Sequence, residues 1–221
     1  MSIINNATIS SDALGSGKAG NVAVNAGSLA VTGSGAISSD TFGSGNGGSV
    51  AIQAGTLAIG PDGEITTDTS KSGNGGSIAV TVTGALSIDG TSSTIPTGIT
   101  ALTVTGSTGH AGNIIVNAGS LTIGPNGQIS TDTFGTGKGG DIAVTVAGAL
   151  SIDGRSSTVP TGITALTGSN GDAGNVVVSA GSLSIVTNGL ISVDTLVSND
   201  LTLETSCTDF LVYASAGMIT V

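Results

Sequence analysis

The sequence predicts an all-β chain wound as a right-handed parallel β-helix, a β-solenoid of about seven coils. Three observations carry that expectation. A unit of short alternating apolar runs and glycine turns, clearest as GNIIVNAGSLTIGPNGQISTDTFGTGKG from Gly112 to Gly139, recurs along nearly the whole chain. No stretch shows the 3.6-residue period of an amphipathic helix. The 38 glycines fall at recurring places, without the every-third-residue spacing of collagen, so they mark turns and close backbone approaches.

Coils open near Gly20, Gly48, Gly76, Gly112, Gly140 and Gly174, which predicts one repeat domain over residues 1–196. The chain starts inside a unit, because ATISSDALGSGKAG from Ala7 matches AISSDTFGSGNGG from Ala36. From Gly20 each unit is expected to supply three strands with alternating inward residues. The first strands turn inward Val22 and Val24 and their counterparts up to Val176 and Val178. The second turn inward Leu29 and Val31 up to Leu183 and Ile185, and the third the column from Ile37 to Ile191. Strands of ~3 to 5 residues cannot hold a sheet alone, whereas copies stacked at ~4.8 Å can. Each column of Val, Ile or Leu then becomes an interior ladder, and the usual crossover rule predicts the right-handed winding. About seven coils give a rod of roughly 35 Å.

Two units are longer. Those opening at Gly76 and Gly140 carry DGTSSTIPTGITAL and DGRSSTVPTGITAL where the others have a simple turn. The extra residues are expected to protrude as a stacked loop on one edge, either as a neutral length variant or as a binding face. The contact residues this suggests are Ser92, Ser93, Thr94, Pro96 and Thr97, with Ser156, Ser157, Thr158, Pro160 and Thr161. After Leu196 the pattern fails. Residues 197–221, which include Cys207, Phe210 and Tyr213, are expected to form a divergent C-terminal coil or cap over the last strand edge, or else to be an altered gene end.

Composition narrows the function. Net charge is −10, with Lys18, Lys71, Lys138 and Arg155 the only strong bases, so no cationic footprint for nucleic acid or an anionic membrane is present. Aromatic residues make up 2% of the chain, which implies a thin, layered, aliphatic core. Cys207 stands alone and cannot form an internal disulfide. The opening MSIINNATISSD lacks a basic start and a long apolar run, so neither a signal peptide nor a membrane-spanning helix is expected. If exported, the chain is expected to be a piece of something longer.

The motifs GNVAVNAGSLAV, GNVVVSAGSLSI, GALSIDG and ISTDTFGTG resemble the repeat region of the filamentous haemagglutinin-type exoproteins exported by two-partner secretion. The resemblance covers nearly all residues up to Leu196. It implies a secreted or cell-surface shaft, exported through an outer-membrane transporter, that displays binding surface to carbohydrate or to a host or neighbour cell-surface protein. The NPNG-type turns of that family's secretion domain are replaced by GPDG at Gly60 and GPNG at Gly124 inside ordinary repeats.

No residue is expected to be catalytic, and neither a cofactor nor a metal is expected. Asp12, Asp40 and Asp68, with Asp132 and Asp194 further along, repeat one position; such a column faces solvent or recruits a cation, and solvent is the expectation. Calcium-binding GGxGxDxUx units appear only as fragments. Asn21, Asn113 and Asn175, with Ser49, Ser77 and Asp141 between them, are expected to be turn-stabilising ladders. Phe42 and Phe134, with Leu14 and Leu196, are expected to pack on each other or under a loop, with a ligand-stacking platform as the alternative. His110 reads as a loop residue. A polysaccharide-active enzyme is the alternative function, for which Asp89 and Asp153 are the acids to test. An ice-binding or calcium-stabilised solenoid is another, although the threonines of TVTG and TDT read as not kept from coil to coil. The expected function is a non-catalytic stalk and multivalent adhesion segment.

Overall fold

The computed structural model describes residues 1–93, 95–168, 171–193, 212–214 and 219–220. Strands β1 (Ser2–Ile4) and β2 (Thr8–Ser10) form a partial leading coil. Six coils follow, each with one long and one short strand. The long strands are β3 (Val22–Thr32), β5 (Val50–Ile59), β7 (Ile78–Ile88), β9 (Ile114–Ile123), β11 (Ile142–Asp153) and β13 (Val176–Val186). Their short partners are β4 (Ala36–Ser38), β6 (Glu64–Thr66), β8 (Thr97–Thr100), β10 (Gly127–Ser130), β12 (Thr161–Thr164) and β14 (Gly189–Val193). Two further strands, β15 (Val212–Ala214) and β16 (Ile219–Thr220), extend the two sheets within the region expected to be a divergent coil or cap; the rest of that region lies outside the described residues.

Every pairing is parallel. One sheet has the order β1-β3-β5-β7-β9-β11-β13-β16 and the other β15-β14-β12-β10-β8-β6-β4-β2, which defines a parallel β-solenoid. Against the expected count of about seven coils, the described strands make about six turns and a leading partial one. Leu29 pairs with Leu57, Leu57 with Leu86, and the same column continues through Leu121, Leu150 and Leu183. Side chains of like shape therefore pile up along the axis, and the Val, Ile and Leu rungs from Val22 to Ile152 are buried against aliphatic neighbours.

The expected first and second strands are one strand with a corner. In β5, Val50, Ile52 and Ala54 turn inward, then Gly55 and Thr56 both lie outward, and Leu57 and Ile59 turn inward again. The pairing slips at the same point, between Val82 and Ala85 in β7 and between Val146 and Ala149 in β11. A two-residue outward step bends the strand without ending its ladder, as a bulge does. The sequence AGSL signals the break in alternation but not that pairing continues across it.

A single-residue ladder closes the cross-section opposite the long strands: Ala13, Thr41, Thr69, Thr103, Thr133 and Thr167 bridge one coil to the next. These five threonines are fully buried, which corrects the expectation that threonines are not kept from coil to coil. They are kept, but inside. Glycine is demanded where coils touch most closely: a Cβ on Gly112 would stand 1.7 Å from the Gly76 carbonyl oxygen. Gly98 is constrained twice, by a φ of +151° and by a Cβ site 1.9 Å from the Gln128 oxygen. Among the described residues no helix is long and apolar enough to cross a membrane.

Candidate functional site

Polar side chains at the turns are spent on holding coils together. The Asp12 carboxylate accepts from the Asp40 backbone N–H at 2.9 Å and from the Ser38 hydroxyl at 2.9 Å. Asp40 accepts in the same way from the Asp68 N–H at 2.7 Å and from Thr66 at 3.1 Å. Asp68 accepts from the Leu102 N–H at 2.8 Å, and Asp132 from the Leu166 N–H at 2.9 Å. The column is thus broken at the long coils, where Leu102 and Leu166 replace the acid. Asp194 lies outside the described residues.

The expectation of a solvent-facing column is corrected for Asp40, Asp68 and Asp132, which are half-buried and accept from donors of the next coil. Burial pushes the Asp68 carboxyl up to about 7, against the lowering effect of the Leu102 N–H, and the Asp40 and Glu64 charges push the same way. Asp40 and Asp132 are raised by burial too, and Glu64 by burial and then by Asp40 and Asp62.

A second ladder runs along the neighbouring turn. Asn46 accepts from the Asn74 N–H at 3.0 Å, Asn74 from the His110 N–H at 3.0 Å, and His110 Nδ1 from the Lys138 N–H at 2.9 Å. The ring of His110 occupies a position held elsewhere by asparagine. A third ladder joins Asn21 to Ser49, Asn113 to Asp141 and Asp141 to Asn175 through side-chain acceptors and backbone donors. The turn-stabilising expectation matches that geometry.

The two long loops belong to coils two apart. Between them lies the short turn of the intervening coil, whose Asn126 has a left-handed φ of 58° and a buried side chain. Asn126 Oδ1 accepts from the Thr158 N–H at 2.8 Å, and its Nδ2 donates to the Ser93 carbonyl at 3.0 Å. Its own N–H donates to Thr161 Oγ1 at 2.9 Å, and two coils earlier the Asp62 N–H donates to Thr97 Oγ1 at 3.0 Å. Ser93 further hydrogen bonds to Asp62, and Ser157 to Thr161 at 2.6 Å.

Of the contact residues suggested by the sequence, Ser93, Thr97, Ser157 and Thr161 therefore fasten the loops, with Thr97 and Thr161 fully buried. Ser92, Pro96, Ser156, Thr158 and Pro160 are exposed at the tips, beside Ile95 and Arg155. Thr94 lies outside the described residues. Sequence reasoning missed Asn126 as the clamp; the signal was the P-D/N-G turn in each coil that precedes a long loop.

Asp89 and Asp153 are turned into their own loops. Asp89 accepts from the Thr91 N–H at 2.9 Å, and Asp153 from Arg155 Nη2 at 2.6 Å and Nε at 3.0 Å. The Arg155 guanidinium holds the Asp153 carboxyl below the usual carboxylate range. Among the described residues no group of three or more His, Cys, Asp or Glu side chains is arranged to hold a metal ion.

Phe42 and Phe134 do not pack on each other or under a loop. They belong to one outward column with Leu14, Ser70, Val104 and Gly168, in which each backbone N–H from Phe42 onward bonds the preceding bridge residue's carbonyl. Exposures of 79% for Leu14, 43% for Phe42, 42% for Val104 and 40% for Phe134 make this one exposed, partly apolar column of the rod, interrupted by Ser70 and Gly168. The fold thus defines a parallel β-solenoid with a looped edge and a partly apolar column. No family model, curated protein or solved structure matches the chain.

Proposed function

We propose that this chain is a non-catalytic shaft that presents repeated surface sites, a stalk and adhesion segment of a secreted or cell-surface protein of the filamentous haemagglutinin type. The observation that supports it most is the rung-by-rung register, in which each coil repeats its neighbour's outward positions about 4.8 Å further along. Equivalent sites on one rigid body favour avidity over affinity. The motifs GNVAVNAGSLAV and ISTDTFGTG support the family assignment and, with it, export through an outer-membrane transporter. Carbohydrate or a cell-surface protein is the partner this reading assigns to the exposed loop tips at Ser92, Ile95, Pro96, Ser156, Thr158 and Pro160.

Beads coated with the chain should adhere to surfaces bearing cell-envelope glycans or extracellular proteins, while the soluble chain washes away. Replacing Ile95 and Pro96 by serine should weaken that adhesion. Failure of coated beads on every such surface would sink the proposal. So would turnover of a polysaccharide that Asp89→Asn or Asp153→Asn removes.

A further inference from the structure

We propose that Asn188 is a self-modification site, at which the Gly189 backbone nitrogen closes on the Asn188 side-chain amide and converts the asparagine to aspartate and isoaspartate. The proposal is independent of the adhesion reading. An Asn–Gly pair suits this chemistry, because glycine has no Cβ to keep its nitrogen from the preceding side chain. Four such pairs lie among the described residues, beginning at Asn46, Asn74, Asn126 and Asn188. A further pair begins at Asn170, which lies outside them.

The fold restrains three of the four. Ring closure requires the amide carbon within bonding reach of the nitrogen, so a side chain pinned elsewhere does not react. Asn46 Oδ1 accepts from the Asn74 N–H at 3.0 Å, and the Gly47 N–H donates to the Asn74 carbonyl at 2.7 Å. Asn74 Oδ1 accepts from the His110 N–H at 3.0 Å, and the Gly75 N–H donates to the His110 carbonyl at 2.8 Å. In both pairs the amide and the nucleophile are tied to the next coil. Asn126 is buried, its Nδ2 donates to the Ser93 carbonyl at 3.0 Å, and its Oδ1 accepts from the Thr158 and Val159 N–H groups at 2.8 and 3.3 Å.

Asn188 stands in the same turn as Asn126 two rungs along, with a φ of 61° against 58°. Its side chain is exposed and has no hydrogen-bond partner among the described residues. The clamp on the amide is what separates the two.

The reaction takes only water. The Gly189 nitrogen loses its proton and bonds to Asn188 Cγ, the Cγ–Nδ2 bond breaks, and the amide nitrogen leaves as ammonia with that proton. Water then opens the cyclic imide at either carbonyl. One opening gives aspartate; the other gives isoaspartate, whose backbone runs through the former side chain and is a methylene longer. This turn has no room for the added length, since a Cβ on Gly154 would stand 2.3 Å from the Asn188 carbonyl carbon and 2.6 Å from the Gly189 nitrogen. Isoaspartate at this position therefore displaces Gly189 from its pairing with Thr161 and loosens the loop over residues 155–161.

Peptide mapping by mass spectrometry of the folded full chain, held for weeks at mildly alkaline pH, tests the proposal. Asn188 should convert at least about tenfold faster than Asn46, Asn74 or Asn126, because those must first break hydrogen bonds. In urea, with the chain unfolded, the four rates should converge. An intact Asn188 would overturn the proposal, as would Asn46 or Asn126 converting equally fast in the folded chain, or an unchanged order of rates in urea. Hydrogen exchange checks the consequence. The isoaspartate fraction should exchange faster than the unmodified chain over residues 155–161, whereas Asn188→Asp, which brings the charge without the methylene, should not. Equal exchange in the isoaspartate fraction and in Asn188→Asp would contradict the proposed loosening.

Discussion

The two halves of every coil are held by different physics. Along the long strands, from β3 to β13, the interior is filled by Val, Ile and Leu columns, and stability there scales with apolar area. Across the turns, the same rungs are joined by Asp, Asn and Thr side chains bonded to the next coil, and by glycines whose hydrogen lies against the backbone of the coil before. The first half tolerates exchange of one aliphatic residue for another, as Val24, Ile52, Val80 and Val116 show in one column. The second tolerates almost nothing larger than hydrogen at glycines such as Gly76, Gly112 and Gly140. A soft, volume-governed wall therefore faces a hard, geometry-governed one.

The hard wall should give the largest effect when broken. Gly98→Ala forces a Cβ into a backbone conformation that L residues rarely adopt and to within 1.9 Å of the Gln128 oxygen. Loss of cooperative thermal unfolding, or a fall in melting temperature beyond any other single variant here, is the expected result in circular dichroism. An Ala variant that melts like wild type would mean the coils are not packed as described. In the soft wall, Leu121→Ala removes a fully buried side chain from mid-column and should cost about 2–5 kcal/mol in denaturant titration. Leu121→Ile should cost less than about 1.5 kcal/mol.

Asn126→Ala sharpens the comparison at the clamp. It leaves the Thr158 N–H and the Ser93 carbonyl without their partner, which should cost about 1–3 kcal/mol. Hydrogen exchange should speed up over residues 91–97 and 155–161 while the long strands stay protected. Uniform acceleration along the rod would show that the clamp is not local.

The smallest effect is electrostatic. Asp68 has a folded pKa of about 7, above its ordinary 3.8, so the neutral form is favoured in the folded chain. Stability is then highest below the ordinary value and falls as pH rises through about 7. Lowering pH from 8 to about 5 should raise the melting temperature by a few degrees, and Asp68→Asn should flatten part of that slope, since burial raises Asp40, Glu64 and Asp132 as well. A melting temperature that falls over the same interval would contradict the burial assigned to this carboxylate.

Much of the soft wall was legible in the sequence, because alternation of Val, Ile and Leu against small polar residues fixes which side chains turn inward. The apolar columns read from residues such as Leu29 and Ile37 coincide with the observed ladders. The hard wall was less legible. Thr41 and Thr69 keep the 28-residue spacing, but Thr103 joins them only once the loop between Asp89 and Thr97 is taken out of the count, and threonine in a polar context reads as outward. The Asp column was visible as a repeat, but whether a carboxylate meets water or the next coil's N–H depends on backbone positions that spacing alone does not fix. Phe42 and Phe134 were recognisable as equivalent, yet their separation by the rungs of Ser70 and Val104 emerges only from the register.

The unequal coil lengths bear on mechanics. Each full coil is fastened to its immediate neighbours, so tension on the two chain ends would peel the rod turn by turn rather than shear it at once. A coil of 28 residues would release roughly 90 Å of chain as it came away, and the 36-residue coil that opens at Gly76 nearer 120 Å. Such a body yields in discrete steps and lengthens many-fold before it breaks, which is the behaviour of a shock absorber.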